Sequence, residues 1–373
     1  MFPIVRVSGS AYERGQQYGE QARDRIHRSI GAYERTYRYF ADWDWQRAAA
    51  EAERFLPAIE AFSPACAGEL AGIADGAGVE RADVLALNVR TEVMYSAKVR
   101  TAAALRAPEE CSAFARVAPD AHVLVGQNWD WAPFAADTVV VLQSEPEDGP
   151  SFVTAVEAGL LAKFGVNSAG LAVMTNALAC TDDVGEPGVP YHVMLRALLS
   201  CEVTAEAVTC IESAPRSSSA NYLLVDESGD AVDVEARPGD VQALHRLLPS
   251  DQGLLLHTNH FCSPDFATVG ATDYADLAES TSQFRLERVS ASLAESTDLG
   301  DLDTYAAALT DHTNHPDSVC RHPDPRLPDE EQSLTVASVL VDLTARRIRL
   351  SQGPACERGY EELDVPLLVA PAR

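Results

Sequence analysis

The sequence predicts an α+β protein in which a helical N-terminal segment precedes a strand-rich body. From residue 10 to about 100, apolar residues recur every three to four positions in an Ala/Glu/Arg-rich background. After Cys111 the chain breaks into short β-branched runs separated by turn signals. Helical stretches then fall between sets of strands, which excludes a pure β fold.

Each element has its own signal. Ser10-Ala11-Tyr12-Glu13 has the form of a capping box and predicts a helix over 14–30. Helical periodicity continues over 43–59 and over 66–77, where Gly78 stops it, and Asp83 is placed to cap a helix over 84–95. Strands are predicted at 123–125, 138–142, 152–156, 160–166 and 171–175, with Asn167-Ser168-Ala169-Gly170 as a tight turn. Helices follow at 190–199 and 204–212, then strands at 221–226, 231–236 and 253–258. Helices at 280–293 and 302–309 and a proline- and acid-rich loop at 322–331 lead to a closing hairpin, 335–343 with 347–350.

A chain of 373 residues that is 46% hydrophobic is long enough for one large domain or two ordinary ones. Its net charge of −27 argues against nucleic acid or an anionic membrane as partner, and its cations are nearly all arginine, Lys98 and Lys163 being the lysines. No early stretch reads as a signal peptide, and no run approaches the roughly 20 apolar residues of a membrane span. Eight cysteines without a CxxC pair point to reduced thiols and a cytoplasmic protein.

Cys111 opens a strand-like run, and Gly126-Gln127-Asn128-Trp129-Asp130-Trp131 returns as a second strand, so a hairpin would bring Asp130 beside Cys111. A cut before Cys111 would give that residue an α-amine next to its thiol. Such an amine, with a pKa of about 7.7–8.0, accepts the thiol proton near neutrality, so one residue supplies nucleophile and base. This is the logic of an N-terminal-nucleophile hydrolase; the competing reading is a buried strand cysteine. The cut would fall on the boundary between helical and strand-rich composition.

Motifs across most of the chain carry a resemblance. Before the nucleophile they run from Gly9-Ser10-Ala11-Tyr12-Glu13-Arg14-Gly15 to Tyr18-Gly19, with Leu87-Asn88-Val89-Arg90-Thr91-Glu92. Around it are Cys111-Ser112-Ala113-Phe114 and the Asn128-Trp129-Asp130 group. Later come Glu157-Ala158-Gly159, Asn167-Ser168-Ala169-Gly170, Asn176-Ala177-Leu178, Gly188-Val189-Pro190, His257-Thr258-Asn259-His260 and Ser318-Val319-Cys320-Arg321. In this order they resemble the acyl-coenzyme A:6-aminopenicillanic acid acyltransferase (isopenicillin N acyltransferase) family of self-processing N-terminal-nucleophile enzymes.

The resemblance implies a four-layer αββα sandwich cut between Glu110 and Cys111. A pro-segment of residues 1–110 would stay bound to a catalytic chain of residues 111–373. It also implies roles: Cys111 as nucleophile, Asp130 accepting from its α-amine, and Asn259 as an oxyanion donor. Likeness to bile-salt hydrolases and penicillin V acylases adds Asn176 to the same hole and sets Arg285 near the nucleophile. Read from sequence alone, Asp130 equally caps a turn, Asn259 closes a loop, and Arg285 is an exposed helix arginine paired with a nearby Glu. Fungal members of the family carry Gly before the nucleophile where this chain has Glu110, and Glu331 and Gln332 are the nearest positions to their Ser-Arg pair.

The expected activity is that of a self-cleaving cysteine amidohydrolase or acyltransferase acting on a linear or cyclic amide, with hydrolysis favoured. The alternative is acyl-CoA-dependent acylation of a β-lactam or other amine. Partners are then a small-molecule amide or acyl donor and the chain's own cleaved fragment, with no cofactor. The HxxH pairs His257/His260 and His312/His315 raise a metal hydrolase as a further reading. They lack the Glu of HExxH, and their loop context suits histidines bonded to backbone, so no metal is assigned. A non-catalytic binding protein that keeps the fold is the remaining alternative.

Overall fold

The computed structural model describes residues 1–98, 110–119, 122–277 and 280–368. It opens with β1 (Ile4–Gly9), and the expected capping box then starts α1 (Ala11–Ala41), with Glu13 accepting from Ser10 N at 3.0 Å. The helix expected over 43–59 is broken into α2 (Trp45–Ala52), a 3-10 turn and α3 (Leu56–Phe62). Pro57 explains the restart, since it has no N–H to give and favours a helix's first turn. α4 (Pro64–Ala77) ends on Gly78 in the left-handed region. α5 (Arg81–Asn88) begins on Glu80, and Asp83 closes its capping box from within instead of starting the helix. α6 (Arg90–Lys98) follows.

The body contains β2 (Glu110–Arg116), β3 (Leu124–Trp131), β4 (Val139–Pro146), β5 (Phe152–Glu157), β6 (Phe164–Asn167) and β7 (Leu171–Ala177). Next come α7 (Tyr191–Leu198), α8 (Thr204–Ser213), β8 (Ala220–Asp226), β9 (Ala231–Ala236), β10 (Leu244–Leu247) and β11 (Leu254–His257). α9 (Tyr274–Leu277), α10 (Ser282–Ala294), α11 (Leu302–Leu309), β12 (Leu334–Asp342), β13 (Arg347–Gln352), α12 (Ala355–Arg358) and β14 (Glu361–Glu362) complete it.

The strands form two sheets, ordered β1-β4-β5-β6-β7-β8-β9-β10 and β11-β2-β3-β12-β13-β14. β2 and β3 pack across onto β7, α1 and α8 cover the first sheet, and α10 and α11 cover the second. The result is the αββα order of layers. Trp129, Val141, Met174, Val339 and Leu350 belong to the large central core. Phe114, Leu124, Val289, Leu293 and Tyr305 form a second core under α10 and α11.

The segment ahead of Cys111 is not wholly helical, because β1 pairs in parallel with β4 at the edge of the larger sheet. Buried polar ties join this segment to the body. Arg90 pairs with Glu157 at 3.0 Å, Tyr33 donates to the same carboxylate at 2.6 Å, and Glu69 receives both Arg14 and Arg196. α1 and α4 approach until their backbones nearly touch. A Cβ on Gly15 would lie 2.1 Å from Glu69 O, and one on Gly72 2.1 Å from Tyr12 O.

Candidate active site

The β2–β3 hairpin sets the site. Its antiparallel register places Glu110 opposite Asp130 and Cys111 opposite Trp129. Alternation along the strands then sorts the side chains. Cys111, Ala113, Ala115 and Trp129 point into the core between the sheets. Glu110, Ser112, Phe114 and Asp130 fall on the other face, under α10 and α11, where Phe114 packs on Tyr305. Cys111 is 2% exposed.

Two side chains hold the Cys111 backbone. Its N–H donates to Asn259 Oδ1 at 2.6 Å, and its carbonyl oxygen accepts from Arg285 Nη1 at 2.6 Å. Asn259 is delivered by β11, which pairs with β2 in a register that sets His257 opposite Ala113, two residues short of this point. Its Nδ2 donates to Ala177 O at 3.0 Å, so one amide bridges both sheets and keeps a second N–H proton. Asn176, on β7, is held loosely: its Nδ2 reaches His257 O at 3.5 Å, and its buried Oδ1 has no partner among the described residues.

Arg285 is fully buried on α10, which rules out the exposed-helix reading. It also reaches Ser112 Oγ at 3.0 Å, Asn259 Oδ1 at 3.0 Å and Glu110 Oε2 at 3.2 Å. Of these partners, Ser112 and Glu110 lie on the face opposite the thiol. The guanidinium frames the peptide around residues 110–111, close to Cys111 as the resemblance implied.

Glu110 sits in a nest of donors. Arg321 Nη2 contacts its Oε2 directly, and Thr281 Oγ1 donates to the same oxygen at 3.0 Å. Burial alone would raise its pKa, but Arg321 and Arg285 outweigh burial and hold the carboxyl below its ordinary range. Asp130 has the opposite balance. Burial pushes it up to about 7, against the pull of Arg285, Arg321 and the Thr335 hydroxyl. Its Oδ1 accepts from Thr335 Oγ1 at 2.7 Å, while its buried Oδ2 has no partner among the described residues. The β3–β12 register slips between Thr335 and Ala337, a bulge placed beside Asp130.

Arg321 and Thr335 were not singled out from the sequence. Arg321 N donates to Thr335 Oγ1 at 2.9 Å, and Thr335 N returns a bond to Arg321 O at 3.0 Å, so one threonine seats both Arg321 and Asp130. The Ser318-Val319-Cys320-Arg321 motif was the available signal for Arg321, but a motif gives no direction to a side chain.

Within each histidine pair the rings stay near one another, with centroids 6.5 Å apart for His257/His260 and 6.2 Å for His312/His315, but they take different partners. His257 uses both ring nitrogens, against Glu235 Oε1 at 2.9 Å and Thr258 O at 2.7 Å, and His260 faces Ser282 Oγ at 2.7 Å. His312 turns to His322, with the Nε2 atoms 3.2 Å apart. Glu331 accepts from Tyr39 OH at 2.6 Å, and Gln332 donates to Leu327 O at 3.0 Å.

The arrangement is thus a buried thiol at a strand start, with the peptide before it held on both sides by cationic and amide groups. The family model described as acyl-coenzyme A:6-aminopenicillanic acid acyl-transferase matches residues 117–354, a span that holds Asp130, Asn176, Asn259, Arg285 and Arg321 and begins just after Cys111. The acyl-coenzyme A:6-aminopenicillanic-acid-acyltransferase 40 kDa form of Emericella nidulans is 27% identical over 326 residues, covering 85% of this chain and 84% of that protein. Among solved structures, penicillin V acylase from Agrobacterium tumefaciens is 17% identical, with a TM-score of 0.42 over 65% of this chain and 83% of that one. A mutant form of conjugated bile acid hydrolase from Clostridium perfringens is 14% identical, with a TM-score of 0.45 over 65% of this chain and 89% of that one. Among the described residues, no helix is long and apolar enough to cross a membrane.

Proposed function

The chain belongs to the acyl-coenzyme A:6-aminopenicillanic acid acyl-transferase family, and from that premise we propose that it cuts itself between Glu110 and Cys111 and then works as a cysteine amidohydrolase. The observation that carries this is the frame around one peptide unit: Glu110 is clamped on the acyl side, and Cys111 N and O are clamped on the amine side.

In the proposed cleavage, Cys111 Sγ bonds to the Glu110 carbonyl carbon, the 110–111 C–N bond breaks, and the thiol proton passes to the freed nitrogen, leaving a thioester and a neutral α-amine. Water then splits the thioester, releasing the Glu110 carboxylate and restoring the thiol. Residues 1–110 would stay docked through β1 and the Arg90–Glu157 tie. Asp130 Oδ2, buried and without a described partner, is the acceptor for the new amine. In turnover the amine takes the thiol proton, the thiolate bonds to the substrate carbonyl carbon, and the C–N bond breaks as the leaving amine takes that proton; water then cleaves the acyl-thioester, releasing the acid and restoring the thiol. Asn259, with Asn176 beside it, supplies N–H groups to the oxyanion; one such donor is typically worth about 2.7–4 kcal/mol of barrier.

The self-cleaved bond is also a template for the substrate. Its acyl half is a glutamyl group, and Arg285, Arg321 and Thr281 would receive a comparable carboxylate once residue 110 has moved away. We therefore propose amides of glutaryl- or glutamyl-like acids as the substrate class. Water is the favoured acceptor of the acyl group, since Glu331 and Gln332 replace the Ser-Arg pair of fungal members.

Denaturing mass spectrometry of the purified chain tests the first step. Fragments ending at Glu110 and beginning at Cys111 are expected, with Cys111→Ala left whole; a cut Cys111→Ala protein would refute the mechanism. Glutaryl and pentanoyl anilides, compared on the mature enzyme, test the acyl preference. Equal rates would discard the acidic substrate class and leave the cleavage mechanism standing.

A further inference from the structure

We propose that His312, Cys320, His322 and Cys356 form a structural zinc site that braces the loop carrying Arg321. One ligand atom from each lies within 4.8 Å of the others. His312 Nε2 and His322 Nε2 are 3.2 Å apart, Cys356 Sγ and His322 Nε2 3.4 Å, Cys320 Sγ and Cys356 Sγ 3.6 Å, and Cys320 Sγ and His322 Nε2 3.8 Å. Zinc held at about 2.3 Å from sulfur and about 2.0–2.1 Å from nitrogen gives tetrahedral edges of roughly 3.3–3.8 Å. The four edges above, 3.2–3.8 Å, lie close to that range, and the two from His312 to the cysteines are within 4.8 Å.

Other features agree. His322 turns Nδ1 to Glu357 Oε1 at 3.3 Å, the outer carboxylate that sets a ligating histidine's tautomer and leaves Nε2 free to bind metal. Two thiolates and two imidazoles suit zinc better than magnesium or calcium, which prefer oxygen. Four protein ligands leave no open position, so the site is structural and not catalytic. His312 and Cys356 are exposed, which gives the ion a way in. On binding, the Cys320 and Cys356 thiol protons pass to solvent, both histidines stay neutral, and no oxidant is consumed.

The ligands come from the loop after α11, the 320–322 turn and the start of α12, so the ion would tie together a stretch with little regular structure of its own. Cys320 and His322 flank Arg321, whose guanidinium meets Glu110 and whose backbone is bonded to Thr335. The bracing of Arg321 rests on the proposed cleavage reading; the metal site itself does not.

Elemental analysis of the full-length protein, purified without chelator, is expected to find about one zinc per chain. Cobalt(II) substitution of the same protein is expected to give tetrahedral thiolate absorption in the visible and near ultraviolet. His312→Ala and Cys356→Ser should lose the metal, and Glu357→Gln should weaken binding about 10–100-fold. Absence of stoichiometric zinc together with no cobalt–thiolate spectrum would overturn the proposal. So would full retention of metal in both ligand variants, or a Cys320–Cys356 disulfide in the freshly isolated chain. If zinc is bound but Cys111 never cuts, the site stands and the cleavage reading falls.

Discussion

Glu110 and Arg321 meet as carboxylate and guanidinium across 211 residues of sequence, and Arg285 reaches the same carboxylate oxygen at 3.2 Å. Glu110, the residue before the proposed nucleophile Cys111, is thus held by its side chain. A hydrogen bond to a charged group contributes roughly 1.5–3 kcal/mol. Glu110→Ala is therefore expected to slow self-cleavage by about 10–100-fold, with Glu110→Gln less affected. Timed gel or mass analysis of freshly made precursor measures this; an unchanged Glu110→Ala rate would remove the clamp from the mechanism.

Glu110 and Asp130 face each other in register yet shift in opposite directions. Asp130's folded pKa of about 7 exceeds its ordinary 3.8, so the stability it contributes is full below the ordinary value and is lost as pH rises through about 7. Glu110, depressed below 4.5, contributes stability above that value and loses it only as pH falls through its lower folded pKa. In the uncut Cys111→Ala background, Asp130→Asn should flatten the fall in Tm between pH 4 and pH 7. It should also raise Tm at pH 8, by a free energy on the order of 1–4 kcal/mol. Cleavage in the Cys111-containing protein should be lost with the same change. Thermal unfolding across pH checks the sign, and a Tm that rises from pH 4 to pH 7 through Asp130 would contradict it.

Much of this site was legible because it is local. The Cys111–Asp130 hairpin needed only strand patterning and a turn, and the Ser10–Glu13 cap only four residues. Arg285 was ambiguous for a physical reason: periodicity in a helix gives the spacing of its faces but not which face meets the sheet. Arg321 had a motif without a direction, since its partners Glu110 and Thr335 lie far away in sequence. β1 was missed because its strand partner, β4, lies beyond all six of the first helices. His312 attracted attention through its spacing from His315, whereas its near neighbours Cys320 and His322 come from a turn and Cys356 from the start of α12, which no periodicity links.

Arg90 and Glu157 are both buried and join the segment ahead of Cys111 to β5. Breaking such a pair from one side leaves a buried charge uncompensated and typically costs about 3–5 kcal/mol. Glu157→Gln should therefore lower Tm and, after cleavage, let the two fragments separate at lower denaturant than in the parent protein. Size-exclusion chromatography in a urea series reads this directly. Identical separation midpoints would move the fragment tie elsewhere, to the β1–β4 edge or to Glu69.

Gly15 and Gly31 lie on the same helix and make the same substitution come out with opposite signs. A Cβ at Gly15 would sit 2.1 Å from Glu69 O, a backbone atom of α4 that cannot swing away, whereas a Cβ at Gly31 meets nothing within 4 Å. Overpacking typically costs about 1–3 kcal/mol, and more where backbones must part. Alanine in an open helix position gains up to about 1 kcal/mol over glycine. Gly15→Ala is thus expected to lower Tm and Gly31→Ala to raise it. Because helix propensity improves equally at both sites, any loss at Gly15 measures the closeness of α1 to α4. If both substitutions stabilise, the two helices lie farther apart than described, and the small residues in Gly15-Gln16-Gln17-Tyr18-Gly19 have another cause.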